Sequence, residues 1–519
     1  MIYNVMDFGC HGNGVSLDSV GIQAAIDACT KNGGGKVLIP AGQYLVGKME
    51  LKDHVTVELG EGASLIASPN REDYPLSPGF PDSLYNQGHT WGDTLRGERI
   101  ALFYACGAKN IGITGRGTVD GQHEKFLVKK HCSTAQPRWI NATYDVDRYY
   151  ASGPDFKFRI LLVFFENCED ILMDGVTYRN APCYTFQMRS SRQIQITNVV
   201  VRNHLMADNA DGFHFSSCTD VRISNCDLEC GDDCIAIDSN DMRPSRFFAI
   251  QNCTFISRNN CFRIFTNLGD ADIKRKLVGT GKVSDIVINN CIVKNASSFV
   301  YINGDCGDLE RISVTNACGV IKRSGTTFLV TAHNAKIRQI TFSNWNFLSR
   351  GVGYIYADRP DSISGIKLDN LDIQVAPSTQ GYGNGLYMPT TKNGKPIYWL
   401  SHFVPYFLQM VEADSVTIRD LRVTWGESDL HDIAEITPEK LALYGLPAPV
   451  SNEPHWPALW AERVTRLVLE NCNLTPFGGH GHTIRMDGVR DVRIFDCGLT
   501  ENAVSASKEC TNVKIRNEA

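Results

Sequence analysis

The sequence predicts an all-β protein: a single-stranded right-handed parallel β-helix with an N-terminal capping helix. Three observations lead there. A short motif recurs along most of the chain, its interval clusters near 26 residues, and little helical periodicity lies between the copies. The motif is apolar-x-apolar-x-(Asn/Asp/Gly). It ends at Gly175, Asn198, Asn225, Asn252, Asn290, Asn316, Asn344, Asn370, Asp420, Asn471 and Asp496. Successive steps are 23, 27, 27, 38, 26, 28, 26, 50, 51 and 25 residues, so the two long steps are two periods, or one period with an insertion. Alternating apolar and polar residues mark short strands, and a unit of this size holding two or three strands is one rung of a solenoid.

Each part of the motif has a physical role. Asn at a tight turn tolerates the left-handed backbone region and hydrogen-bonds locally, so stacked copies form a ladder. Cys226, Cys253, Cys291, Cys472 and Cys497 each follow their Asn or Asp and are expected inside, as a column of small apolar groups. Ahead of the repeats, Ser16 is a candidate helix cap. The apolar periodicity of VGIQAAIDAC runs to Cys29, Gly33-Gly34-Gly35 ends it, and KVLIPAGQYLVG follows as strand and turn. This helix covers the open end of the solenoid, where unpaired backbone would invite aggregation. The whole chain, 1–519, reads as one β-helix domain, with 1–50 as cap and first strands. Stretches 121–155, 381–405 and 426–457 break the repeat and read as loops that wall a cleft or seat a subunit.

Bulk properties narrow the partners. With 51 basic and 57 acidic residues the formal charge is −6, which argues against a nucleic-acid partner. No apolar run is long enough to span a membrane, and the N-terminus MIYNVMDFGCHG shows no secretory signal. The 18 cysteines are too sparse for a disulfide scaffold and read as reduced core residues, which suits a cytoplasmic location; a secreted protein with a few disulfides is the alternative. CDLECGDDC lacks a clean CxxC pair, so no metal and no cofactor is expected. Oligomeric state is open.

Two segments carry chemistry: NADGFHF, 209–215, and CGDDCIAIDS, 230–239. Asp211 and Asp232 are 21 residues apart, close to one rung, and equivalent points on neighbouring rungs lie about 4.8 Å apart. Asp211 is therefore expected beside Asp232 and Asp233 on one face. Adjacent strand residues point to opposite faces, so the backbone must bend for both Asp232 and Asp233 to reach one cleft, and Gly231 permits that bend. Three crowded carboxylates cannot all ionise readily, so one proton is retained near neutral pH. A retained proton serves a general acid and the remaining carboxylates activate water, the logic of glycoside hydrolysis. Spacing alone leaves turn-capping or calcium binding as the competing reading.

These residues resemble the polygalacturonase family, family 28 of the glycoside hydrolases. DFGCHGNGVSLDSVGIQAAIDAC with GGGKVLIPAGQYLVG is similar to the family's N-terminal cap and first strand. KNIGITGRGTVDGQ and GVTYRNAPCYTF are similar to its early rungs, NADG (209–212) to its Asn-Thr-Asp motif, and GDD (231–233) to its Asp-Asp motif. The resemblance spans Asp7 to about Asn316. It implies inverting hydrolysis of an oligosaccharide, with Asp232 as general acid and Asp211 with Asp233 deprotonating water. In inverting enzymes acid and base stand about 6.5–9.5 Å apart to admit that water.

Two family motifs are absent. Asn260 falls where a Gly-His-Gly would place its His, and Tyr301 and Asn303 fall where an Arg-Ile-Lys would grip a uronate carboxylate. Losing that clamp points to a sugar other than plain polygalacturonate, or to a uronate held another way. Candidate substrate-binding residues are Tyr184, Gln187, Asn209, His214, Asp238, Arg243, Asn260, Arg263, Tyr301 and Asn303. Asp238 stands where the family more often has Lys and suits hydroxyl recognition. The insertions favour exo action. A calcium-dependent β-helix lyase or epimerase, and a non-catalytic carbohydrate-binding solenoid, are the competing functions.

Overall fold

The computed structural model describes residues 1–77, 100–132, 146–239, 243–266, 281–321, 326–376, 407–426, 457–477, 479 and 481–517. The fold is a right-handed parallel β-helix, with parallel strands stacked in sheets. The chain divides into two compact units. The first is Met1–His131 with Val146–Ile286, and the second is Cys132–Asp145 with Val287–Ala519.

In the first unit each rung contributes three strands. One sheet stacks Ala101–Cys106, Leu161–Glu166, Phe186–Arg189, Phe213–Ser216, Ile235–Asp238 and Asn260–Thr266. A second series stacks Glu169–Asp174, Arg192–Thr197, Thr219–Ser224 and Ser245–Gln251. A third stacks Thr177–Arg179, Val200–Arg202, Asp227–Cys230 and Thr254–Ser257. Register holds like against like, so Ile194, Val221 and Phe248 form one buried file and Ile196, Ile223 and Ile250 the next.

The helix is Ser19–Lys31, and it packs Ile22, Ala25, Ile26 and Cys29 inward. Its N-cap position is Asp18 rather than Ser16, which lies in the strand Asn13–Leu17 and accepts from Asn13. Asp18 does not cap the helix with its side chain. Its carboxylate instead takes the amides of His11 and Gly12 at 2.7 and 3.0 Å, pinning the preceding turn. Of the first insertion, 121–155, the described part forms a short helix, His123–Phe126, and two paired strands, Val128–Cys132 and Val146–Tyr150. The second insertion, 381–405, lies outside the described residues, and so does all of the third but its two ends.

The second unit settles the two long steps. Ile363–Val375 pairs directly with Ala413–Trp425, Ile366 opposite Val416, and Ala413–Trp425 pairs with Thr465–Glu470. Each long step is thus one rung with an insertion. Gly307–Ile321 and Ala335–Ser349 precede them in the same parallel stack. Its core is aromatic: Phe342 lies 4.8 Å from both Phe328 and Trp345, ring centre to ring centre.

The Asn positions adopt the backbone expected of them. Asn198, Asn225, Asn252, Asn290, Asn316, Asn344, Asn370, Asp420, Asn471 and Asp496 all have φ between 51° and 57°. Their side chains run as exposed ladders: Asn252 donates to Asn225 in the first unit, and Asn370 to Asn344 and Asn344 to Asn316 in the second. The five cysteines that follow these turns are buried and free.

Candidate active site

Strand alternation builds the site. In Phe213–Ser216, Ile235–Asp238 and Asn260–Thr266, one set of side chains packs into the core, as the contacts Phe186–Phe213 and Phe255–Phe262 show. The alternate set, with His214, Ser216, Asp238 and Arg263, takes the other face. The three carboxylates sit just ahead of these strands. Gly212 N donates to Asp233 O at 3.0 Å, Phe213 N to Cys234 O at 2.8 Å, and Cys234 N to Asn260 O at 2.9 Å. On that register Asp211, Asp233 and Asn260 occupy one file on successive rungs. The amides of Thr185 and Phe186 donate to the carbonyls of Asp211 and Gly212, which puts Tyr184 at the head of the file.

The bend expected at Gly231 is present, but its glycine serves close approach rather than an unusual φ. A Cβ there would stand 2.6 Å from the carbonyl oxygens of both His204 and Ala207. A Cβ at Gly212 would stand 2.3 Å from the Cys234 carbonyl oxygen. Both glycines let the 203–211 loop lie flat on the Asp232–Asp233 bend.

Each carboxylate of the pair has its own amide one rung on. Asn259 Nδ2 donates to Asp232 Oδ1 at 2.8 Å and Asn260 Nδ2 to Asp233 Oδ1 at 2.7 Å. Arg263 Nη1 stands 3.7 Å from Asp233 Oδ2, its guanidinium over the Phe265 ring. Asp211 meets His214, Oδ2 to Nδ1, at 3.5 Å, an ion-pair distance longer than a directed hydrogen bond. Asp211 and Asp233 are buried; Asp232 is partly exposed. Burial, then the charge of Asp232, pushes the Asp211 carboxyl up to about 7 and that of Asp233 up to about 6. Burial alone would lower His214, but the neighbouring carboxylates of Asp211 and Asp238 overcome this and push it to about 9. The cluster therefore retains a proton close to neutral pH.

The other candidates fall into groups. Tyr184 lies tilted against His214, ring centres 4.7 Å apart. Asn260 and Arg263 touch Asp233, as described. Asp238 has no exposed surface, and its Oδ2 takes both His214 Nε2, at 2.7 Å, and Ser216 Oγ, at 2.9 Å; its expected role in hydroxyl recognition gives way to one behind His214. Gln187 is buried, donating to Ser216. Asn209, half-buried at φ 52°, accepts from Arg159 in the turn into Asp211. Arg243 is exposed, its carbonyl accepting from Ser239. Tyr301 and Asn303 belong to the second unit. There Tyr301 packs with Leu329 and Tyr354, and Asn303 donates to Thr331. Sequence reasoning passed over Asn259 and Arg159. Asn259-Asn260, 27 residues after Asp232-Asp233, was the available signal; nothing marked Arg159.

Fold and site together define a right-handed parallel β-helix that carries a buried carboxylate cluster, and its sequence is similar to a family of glycosyl hydrolases. The family model described as "Glycosyl hydrolases family 28" matches residues 29–246, the stretch that carries all three carboxylates. An exo-poly-alpha-D-galacturonosidase of Dickeya chrysanthemi is 28% identical over 327 residues, 57% of this chain and 50% of that one. A mannuronan C5-epimerase of Azotobacter vinelandii is 29% identical over 214 residues, 41% of this chain but 12% of that one. The chain thus spans about half the length or less of such curated relatives. Among solved structures, a family 28 exopolygalacturonase of Yersinia enterocolitica shares the fold. It superposes with a TM-score of 0.58 at 18% identity, covering 83% of this chain and 77% of that one.

Proposed function

We propose that the chain is an inverting glycoside hydrolase that cleaves a glycosidic bond in an oligosaccharide. Asp232, the exposed member of the cluster, protonates the leaving oxygen, and Asp211 with Asp233 orients and deprotonates the attacking water. One observation carries this: the three carboxylates crowd together on successive rungs, so that the cluster as a whole retains a proton near neutrality and can present both an acid and a base to the reaction. The match of residues 29–246 to a glycosyl hydrolase family supports the reading. The absent Arg-Ile-Lys clamp favours a sugar other than plain polygalacturonate, and the name of the Dickeya relative favours exo action.

The test is a panel of defined neutral and uronic oligosaccharides, incubated with wild type and with Asp232→Asn. Turnover of at least one wild-type substrate is expected, reduced in Asp232→Asn by about a thousandfold or more with the circular dichroism unchanged, from loss of acid catalysis. Equal turnover by the two proteins would refute the assignment. A second reading, an epimerase or lyase, has the Azotobacter relative in its favour. It predicts an inverted C5 centre, or an unsaturated product absorbing in the ultraviolet, together with loss of activity in chelator. In this structure the cations beside Asp211 and Asp233 are His214 and Arg263, supplied by the chain itself.

A further inference from the structure

Behind Asp211 stands an imidazole held from its far side by a second carboxylate. His214 presents Nδ1 to Asp211 Oδ2 at 3.5 Å and Nε2 to Asp238 Oδ2 at 2.7 Å. Asp238 is fully buried, and Ser216 Oγ donates to the same oxygen at 2.9 Å. Tyr184 lies against the ring at 4.7 Å and Phe265 meets it edge-on at 6.0 Å, so the imidazole has little room to turn. Asp211 Oδ1 and His214 Nδ1 are both buried with no hydrogen-bond partner.

We propose that His214 and Asp238 are a positioning pair that delivers Asp211 to the reaction as a carboxylate, with His214 keeping the proton that Asp211 would otherwise hold. The proposal rests on the hydrolase reading of the cluster. Its logic is that of a base oriented by a third group. The Asp238 carboxylate accepts Nε2–H, so the variable proton is on the Nδ1 side. Either protonated Asp211 donates to a bare Nδ1, or Nδ1–H faces ionised Asp211. The two states differ by one proton moved from Oδ2 to Nδ1. The buried negative charge of Asp238 stabilises the imidazolium and so favours the second state. When water attacks, Asp211 accepts its proton, Asp232 gives one to the leaving oxygen, and exchange with solvent restores both.

Every charged group near the ring bears on this balance. Asp211 and Asp238 touch it, and Asp233 and Asp232 lie beyond Asp211. Arg263 is in register with Ala236 on the far side of His214, and Arg189 is in register with Ser216; Gln187, opposite His214, is neutral.

The pH dependence of kcat/KM for Asp238→Asn and Asp238→Glu tests the pair, on a substrate that the oligosaccharide panel shows to be turned over. In Asp238→Asn the acid limb is expected to rise by about one pH unit or more, about a tenfold relative loss on the acid side. Asp238→Glu is expected to return the limb toward its wild-type position even if the maximum stays lower. A uniform loss at every pH, with the limb unmoved, would overturn the proposal, since a merely structural role predicts that. A second measurement needs neither turnover nor a folded Asp238 variant. In wild-type protein with ¹⁵N-labelled histidine, the His214 resonance is identified by its loss in His214→Gln, or in His214→Asn if that chain does not fold. It is expected to report an imidazolium through pH 8. A neutral ring at pH 7 would overturn the pair whether or not the protein is a hydrolase. Failure of the panel with a charged His214 would instead count against the hydrolase reading alone.

Discussion

Asp232 and Asp233 are neighbours in the chain, yet each meets a different amide 27 residues on. A repeating fold lets one dipeptide address another in this way: one rung later the chain again presents two adjacent side chains at the same bend. Asn260→Ala removes the shorter hydrogen bond to a buried carboxylate and leaves the backbone amide of residue 260, at 3.4 Å, and Arg263, at 3.7 Å. Asp233 should then titrate higher still. Activity is expected to fall by about ten- to a hundredfold, from loss of a charge-assisted bond of about 1.5–3 kcal/mol, most steeply on the acid side of the profile. Asp211 makes a prediction about stability. Its carboxyl, raised to about 7, binds a proton more tightly folded than unfolded, where it titrates near 3.9. The stability this confers is complete below about pH 4 and is lost as pH rises through 7. Asp211→Asn cannot ionise, so its unfolding free energy should gain on wild type as pH rises from about 4 to about 7, by a few kcal/mol at most. A gap that stays constant across that range would contradict the burial of this group.

At the scale of the element, the legible half of each turn was the half with a consistent residue type. The Asn column announced itself because Asn both tolerates positive φ and bonds along the ladder. A second column of positive φ lies five residues before it on every rung, at Asp170, Gln193, Asp220, Phe247, Asp285, Arg311, Gln339, Gly365, Ser415, Arg466 and Asp491. Its steps are those of the Asn column, but Asp, Gln, Arg, Phe, Gly and Ser all occupy it, so no single residue type marks it in the sequence. There the conformation is imposed by the stack rather than chosen by the residue. The carboxylate spacing was readable for the same reason that the Asn column was. The role of Asp238 was not, because alternation places it on the site's face while only packing reveals that His214 and Ser216 already occupy it. The two columns can be separated experimentally. Asn344→Ala loses two ladder bonds and keeps the strain of a Cβ at φ 56°, and should cost about 1–3 kcal/mol in denaturant unfolding; Asn344→Gly loses the bonds but not the backbone freedom and should cost less. Equal costs would show that the ladder bonds, not backbone strain, decide this position.

For the molecule as a whole, stability is spread along files of apolar residues rather than fastened by covalent links. The described cysteines form no disulfide, and most of them are buried, five directly after the ladder turns. Thermal unfolding is therefore expected to be the same with and without reductant, within about one degree. A larger drop would reveal a disulfide among the chain's 18 cysteines. In contrast, Phe342→Ala in the second unit should cost about 3–5 kcal/mol, since it empties a site where Phe328 and Trp345 converge. The same stacking that stores this stability also sets the three carboxylates against one another, so site and fold are two outcomes of one register. The most direct measurement of that account is ¹H NMR of the first-formed product, taken before mutarotation, from whichever oligosaccharide wild type cleaves. Water activated by Asp211 and Asp233 on the face opposite the leaving group must yield the inverted anomer. First-formed product that retains the anomeric configuration of the substrate would mean that one of these carboxylates attacks the sugar itself, and the roles assigned to all three would be wrong.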